Sequence, residues 1–223
     1  MKKFLVLVVV LFYSNVLAHM DHYKKFNKIE MDILRNGELI GYNYYFFKRK
    51  GDETIVTNQI KFSVKLLGAT IFQVEGYGEE KYIKDQLISY NSKTLQNDKE
   101  KFVNLIFDKG KFKIKGSSYS GEASNNNIVG NWWSHRILQT ESQISPISGS
   151  IKKQVVTFVG KEKIEQYGKV YNVDHFTLKS KDKTLKKDKR LDFNIWYEKE
   201  TGQIIRVSYS RMGNWEYRLK NFE

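Results

Sequence analysis

Residues 29–47 read "IEMDILRNGELIGYNYYFF". Ile29, Met31 and Ile33 alternate with Glu30 and Asp32, the period of a strand with one dry face and one wet face. Asn36-Gly37 follows, a pair that tolerates positive φ at both positions and so favours the tight turn of a β-hairpin. The return strand is apolar on both faces from Tyr42 to Phe47. That predicts a strand covered on both sides, near the centre of a layered structure.

The same alternation continues along the chain. After a turn at Lys50-Gly51-Asp52, "TIVTNQIKFSVKLLG" sets Val56, Ile60, Phe62, Val64 and Leu66 on one side. Gly76 and Gly78 predict bulges or bends within the next strands. Further hairpins are expected around Asp108-Lys109-Gly110, Tyr167-Gly168-Lys169, Glu200-Thr201-Gly202 and Met212-Gly213-Asn214. The pattern predicts roughly eleven to thirteen strands at sandwich or barrel spacing. Helical signal is confined to Trp132–Leu138, with Asn131 as its N-cap. Two polar stretches, 117–127 and 139–152, bracket that segment, and the second holds the sole proline, Pro146. They mark an expected boundary between an N-terminal and a C-terminal sheet of one domain.

The first twenty residues, "MKKFLVLVVVLFYSNVLAHM", carry Lys2 and Lys3 ahead of an apolar run from Phe4 to Tyr13. This has the form of a secretory signal peptide, and the run is too short to span a bilayer, which needs about 20 residues. The expected organisation is a signal peptide at 1–18, cut after Ala18, and a single β-rich domain at 19–223. The expected location is the periplasm or the medium. Removing Lys2 and Lys3 takes the net charge from +13 to +11. Such a charge attracts anionic envelope surfaces and allows peripheral membrane contact. It does not point to nucleic acid, whose sites favour arginine forks with interleaved aromatics: seven arginines stand against 31 lysines. Lysine at solvated positions by default, as in a chain encoded by an AT-rich genome, is the other account. With no cysteine, the domain must hold itself by burial alone.

No nucleophile elbow, glycine-rich phosphate loop or paired-histidine zinc motif is present, and no catalytic residue, metal or cofactor is expected. His19 and His22, joined by His135 or His175, would suit copper; a frayed terminus is the simpler account. Asp174 and His175 are neighbours on a strand and point to opposite faces, so His175 reads as a half-buried structural histidine. Glu79-Glu80 and Glu198/Glu200 lie in turn-like, lysine-rich stretches and read as solvated charge.

"NWWSHRIL" (131–138) is the stretch where function concentrates. As a helical turn it would send Trp133 and Ile137 together into the core, as a plug, and leave Trp132, His135 and Arg136 nearer water. Alternatively it lines the mouth of an apolar cleft. Trp196 and Tyr197 point to opposite faces of their strand, so one of them is expected to line the same cavity. The candidate ligand-binding residues are therefore Trp132, Trp133, His135, Trp196 and Tyr197.

Taken in order, "GELIGYNYYF", "KYIKDQLISYNSKT", "NWWSHRIL", "VVTFVGKEKIEQYGKVYNVDHFTL" and "IWYEKETGQIIRVSYSRMGNWEYRL" resemble a family of exported bacterial proteins of unknown function, related to spiral β-roll domains that are also uncharacterised. The resemblance spans nearly the whole mature chain and implies a long antiparallel sheet wrapped on itself. More distantly, such sheets are similar to the half-barrels that carry lipids or lipoproteins across the periplasm. The expected class is all-β and mainly antiparallel: a strongly curved sheet, spiral β-roll or open barrel, with one short helical segment near 131–138. The expected function is that of a non-catalytic envelope protein binding an apolar or lipid-like ligand. An integral outer-membrane β-barrel and an enzyme acting on an envelope polymer are the alternatives. The lysine-rich charge distribution, as in "GKFKIKG" and "YRLKNFE", counts against the barrel.

Overall fold

The computed structural model describes Tyr23 and residues 26–223; the expected signal peptide, the expected cut after Ala18 and the pair His19/His22 lie outside the described residues. The first meander comprises β1 (Lys28–Arg35), β2 (Glu38–Lys50), β3 (Glu53–Leu66), β4 (Ala69–Ile83), β5 (Gln86–Gln96), β6 (Lys99–Asp108), β7 (Lys111–Gly116) and β8 (Ser120–Ser124). The second comprises β9 (Ile128–Val129), β10 (Ser142–Ile144), β11 (Ile151–Gln166), β12 (Lys169–Ser180), β13 (Asp192–Glu198), β14 (Gln203–Ser210) and β15 (Asn214–Phe222). All fifteen belong to one sheet, ordered β8-β7-β6-β5-β4-β3-β2-β1-β15-β14-β13-β12-β11-β10-β9. Every pairing is antiparallel except β9 with β10. The all-β, mainly antiparallel class is as expected, with more strands; the additional ones are short, β8 and β10 inside the polar stretches and β9 just after the first of them. Those stretches do not divide two sheets.

The order forces the curvature. β8 and β9 are the two edges of the sheet, yet only residues 125–127 join them. Three residues reach little more than about 10–14 Å, so the sheet must roll until its edges come together. They meet through loops: Ser118 N–H donates to Ser148 O at 3.0 Å. Gly116 lies against the same loop, and a Cβ there would sit 2.6 Å from Ser148 O. Among the described residues no ladder joins β8 to β9, so this is an open roll rather than a closed barrel.

The first and last strands meet mid-sheet, where β1 pairs with β15. There β1 is buried on both faces, with Met31 and Ile33 inside and Asp32 and Leu34 outside. The cover is the β11–β12 hairpin, which folds across the outer surface. Its tip donates from Tyr167 Oη to Asp32 Oδ2 at 2.7 Å. Gln166 Nε2 reaches the carbonyls of Ile205 and Leu219 at 3.2 and 2.8 Å, just past Arg206/Arg218, the pair at which the β14–β15 ladder ends. The expected doubly covered strand was β2; instead β2 buries Asn43, Tyr45 and Phe47 and leaves Tyr42, Tyr44 and Phe46 half-buried outside, with the Lys28 ammonium 5.3 Å from the Tyr44 ring centre.

Gly76 and Gly78 do not mark bulges; β4 shifts register at Lys81/Tyr82 instead. Both glycines make room. A Cβ on Gly78 would lie 2.9 Å from Tyr90 Oη, and one on Gly76 3.1 Å from Thr94 Oγ1.

Candidate functional site

The segment between β9 and β11 crosses the inside of the roll. Its helical part is shorter than the spacing suggests: a 3-10 turn over His135–Leu138, capped by Ser134 rather than Asn131. Asn131 is free of capping because its side chain has another use.

That use is Glu80. It stands on the inner face of β4 and is 3 % exposed, so the expectation of solvated charge fails. Three donors surround its carboxylate: Asn131 Nδ2 at 2.6 Å and Trp133 Nε1 at 2.7 Å on Oε1, and Tyr82 Oη at 2.5 Å on Oε2. Burial nevertheless raises its pKa, outweighing the hydrogen bonds. The Trp133 ring lies edge-on to Tyr23, Phe47 and Tyr82, with centroids 5.0, 5.4 and 6.0 Å away. Trp132 N–H donates to Tyr45 Oη, which also accepts from Asn43. Further along, Tyr90 and Ser92 of β5 both donate to the Pro146 carbonyl. Gln154 of β11 reaches the Ile137 carbonyl at 2.8 Å. The middle of the roll is thus filled by the chain itself, through polar contacts that fix the segment's position. Trp133 and Ile137 are buried as a plug; His135 is buried too, against the expectation that it would lie nearer water, because Tyr23 covers it.

His135 nonetheless borders the opening that remains. A groove of about 560 Å³ is lined by His135, Leu138, Phe158, Phe176, Tyr197 and Lys199, with Gln139, Lys161 and the buried Asp174 completing the lining. The Phe158 and Phe176 rings meet edge-on at 5.5 Å, and Phe158 is half exposed. Lys199 Nζ lies 3.2 Å from Asp174 Oδ2. His135 Nδ1 is 2.7 Å from Tyr23 Oη, whose proton burial holds firmly. The same Tyr23 oxygen accepts the His135 backbone N–H at 2.8 Å. The groove therefore combines an apolar surface, two lysine ammonium groups, one of them paired with the Asp174 carboxylate, and an imidazole fixed by a buried phenol.

The five candidate residues separate. His135 and Tyr197 come together in the groove, their rings 5.2 Å apart. Trp133 is core. Trp132 lies at the core margin, against Phe193 and Tyr217. Trp196 is on the outer face, stacked on His175 at 4.6 Å and donating to Glu162 Oε2 at 2.9 Å. His175 is the structural histidine expected, held between Glu162 and Asn194. Glu198 is buried beside Thr201, not solvated. Phe158, Phe176, Lys161 and Lys199 were missed because β11, β12 and the β13–β14 turn meet only in the folded sheet. Among the described residues no group of three or more His, Asp or Glu side chains could hold a metal ion.

A family described as a domain of unknown function, DUF6134, matches residues 31–220. No curated protein matches the chain. Among solved structures, the chain is similar to a β-barrel-like protein of a domain of unknown function, DUF1849, from Brucella abortus. The two share 10 % identity over 88 % of this chain and 96 % of that one, with a TM-score of 0.61. That likeness concerns the fold. A DUF1329 family protein from Desulfovibrio piger aligns at 11 % identity over 92 % of this chain and 88 % of that one, with a TM-score of 0.26.

Proposed function

The chain belongs to the DUF6134 family, and on that premise we propose that it is an exported, non-catalytic envelope protein that holds an amphipathic anionic ligand, such as a fatty acid or a lysophospholipid, in the His135–Tyr197 groove. The observation that carries this is the groove's composition. Leu138, Phe158, Phe176 and Tyr197 offer a floor for an acyl chain, while Lys161 and Lys199 stand where a carboxylate or phosphate would end. Ligand sites of this kind are concave, mainly apolar and oriented by a few polar groups. Asp174 balances one lysine and leaves the groove with net positive charge. The buried phenol on His135 favours binding over general-base work, since the ring is held in place rather than aimed at a nucleophile. The outer face of β3–β6 supports a water-exposed roll over a membrane-embedded barrel: it carries the ion pairs Lys61–Glu75 and Lys93–Glu100, where a lipid-facing surface would be apolar.

The test is displacement of a fluorescent fatty acid from delipidated protein. Phe176→Asp should weaken binding at least about tenfold by placing a charge on the apolar floor. Lys199→Glu should weaken it less, and more at low salt than at high salt. Failure of the wild type to bind the probe, or equal affinity in Phe176→Asp, ends this reading. The location has its own check: protein released by osmotic shock should begin at His19 by intact mass.

A further inference from the structure

The hairpin between β3 and β4 runs past the ladders on either side. Pairing of β2 with β3 stops at Gly41/Phe62, and pairing of β4 with β5 stops at Val74/Gln96. The hairpin continues for four more residues of β3, about 13 Å at ~3.3 Å per residue. Val64 and Phe72 still pack inward, but Lys65–Ile71, "KLLGATI", is exposed at every position. Leu67 is 100 % exposed, Leu66 59 % and Ile71 51 %. Leu67 and Gly68 have φ of 49° and 83°, the left-handed pair of a type I′ turn. Asn36-Gly37, at the same end of the roll, makes that turn with φ of 52° and 83°. Leucine in place of asparagine at this position is unfavourable twice over, sterically at positive φ and by exposure to water. Met212, also at positive φ and 87 % exposed, lies at this end as well, its carbonyl held by Arg35. At the tip itself the charge is of one sign: residues 63–73 contain Lys65 and no acidic residue, while Lys61, further from the tip, is paired with Glu75 at 3.0 Å.

We propose that the Leu66-Leu67-Ile71 tip inserts into the interface of an anionic lipid bilayer, with Lys65 meeting the headgroups. An apolar tip with a lysine at its base fits such a surface in both its layers: the leucine and isoleucine side chains enter the acyl boundary, the Lys65 ammonium stays at headgroup level, and the chain's formal net charge of +13 adds to the attraction. The β13–β14 turn beside the groove is at the opposite end of the roll, so this contact is independent of ligand binding there.

The experiment is co-sedimentation of the purified chain with phosphatidylglycerol vesicles and with phosphatidylcholine vesicles. The wild type should sediment with the first and far less with the second. Leu67→Asn should cut partitioning about tenfold, the loss expected for one buried leucine, while its melting temperature holds or rises because asparagine suits the turn. Lys65→Gln should weaken binding and flatten its salt dependence. Wild-type protein left in the supernatant with phosphatidylglycerol overturns the proposal, as does Leu67→Asn partitioning like wild type. So does a wild-type dimer that Leu67→Asn dissociates with no vesicle binding, for then the tip meets a second copy of this chain.

Discussion

Two tryptophans in this roll donate to glutamates. Trp133 Nε1 reaches Glu80 at 2.7 Å inside it, and Trp196 Nε1 reaches Glu162 at 2.9 Å outside. Each carboxylate has other donors, Asn131 and Tyr82 for Glu80 and His175 for Glu162. The local chemistry is nearly the same and the consequence is opposite. Glu80 is fully enclosed, and desolvation raises its pKa against three hydrogen bonds. Glu162 is 42 % exposed at its side chain, and the Trp196 hydrogen bond, ahead of that from His175, lowers its pKa. What a carboxylate does for the fold is set first by access to water and only then by its partners. The inner pair anchors the crossing segment to β4; the outer pair ties β11 to β13.

Truncation separates the two most strongly. Trp133→Ala removes a ring that contacts Tyr23, Phe47 and Tyr82 and takes away one of Glu80's donors, so about 3–5 kcal/mol of stability should be lost. Trp196→Ala removes a ring that stacks on His175 and lies 5.8 Å from the Arg206 guanidinium at the surface. About 1 kcal/mol should be lost there. Urea denaturation of both variants measures the difference, and equal losses would show that the inner segment is not held by its tryptophan.

Acid titration sharpens the contrast, because the two glutamates bend the stability curve in opposite directions. Glu80's folded pKa lies above the ordinary 4.5, so in the window just above that value the native state holds a proton that the unfolded chain has released. Stability from Glu80 is complete below 4.5 and falls as pH rises through the folded pKa. Glu162's folded pKa lies below 4.5, so its contribution is present above 4.5 and fades as pH falls through the folded value. Glu80→Gln should remove the decline on the alkaline side of 4.5, and Glu162→Gln the weaker, solvent-screened decline on the acid side. The measurement is unfolding free energy against pH for both variants and the wild type. A difference between wild type and Glu80→Gln that grows with pH across that window would mean that the three hydrogen bonds outweigh burial.

How much of this contrast the sequence discloses depends on how far apart the partners lie. Asn36-Gly37 and Lys109-Gly110 announce their hairpins because turn chemistry is local, and both have the positive φ expected. Alternation in "NIWYE" correctly puts Trp196 and Tyr197 on opposite faces; that Tyr197 is the one at the groove depends on how β13 sits in the roll. Glu80 looks solvated because its flanking residues, Glu79 and Lys81, are outward-facing and polar. Its donors Asn131 and Trp133 lie 51 and 53 positions away and arrive only when the roll closes. Leu66 follows the inward alternation of Val56 to Val64, but at that point the neighbouring strands have ended, so the dry side has nothing to face. Periodicity reports which face a residue shares, and the extent of neighbouring strands decides whether that face is covered.

The mildest perturbation is the most discriminating. Tryptophan to phenylalanine keeps an aromatic ring and deletes the N–H, so it removes one donor from each glutamate with little change in packing. Trp196→Phe should cost less than about 1 kcal/mol, since the exposed carboxylate regains a water. The Glu162 pKa should climb toward 4.5, because its largest lowering influence is gone. Trp133→Phe should also move its partner's pKa upward, but away from the ordinary value, since Glu80 is already raised by burial and Trp133 is one of the groups opposing that rise. Side-chain carboxyl titrations followed by NMR on both variants test this directly. Two upward shifts, one restoring and one exaggerating, are what a shared donor acting in two dielectric settings requires; no shift at Glu80 would mean that Asn131 and Tyr82 hold the inner carboxylate by themselves.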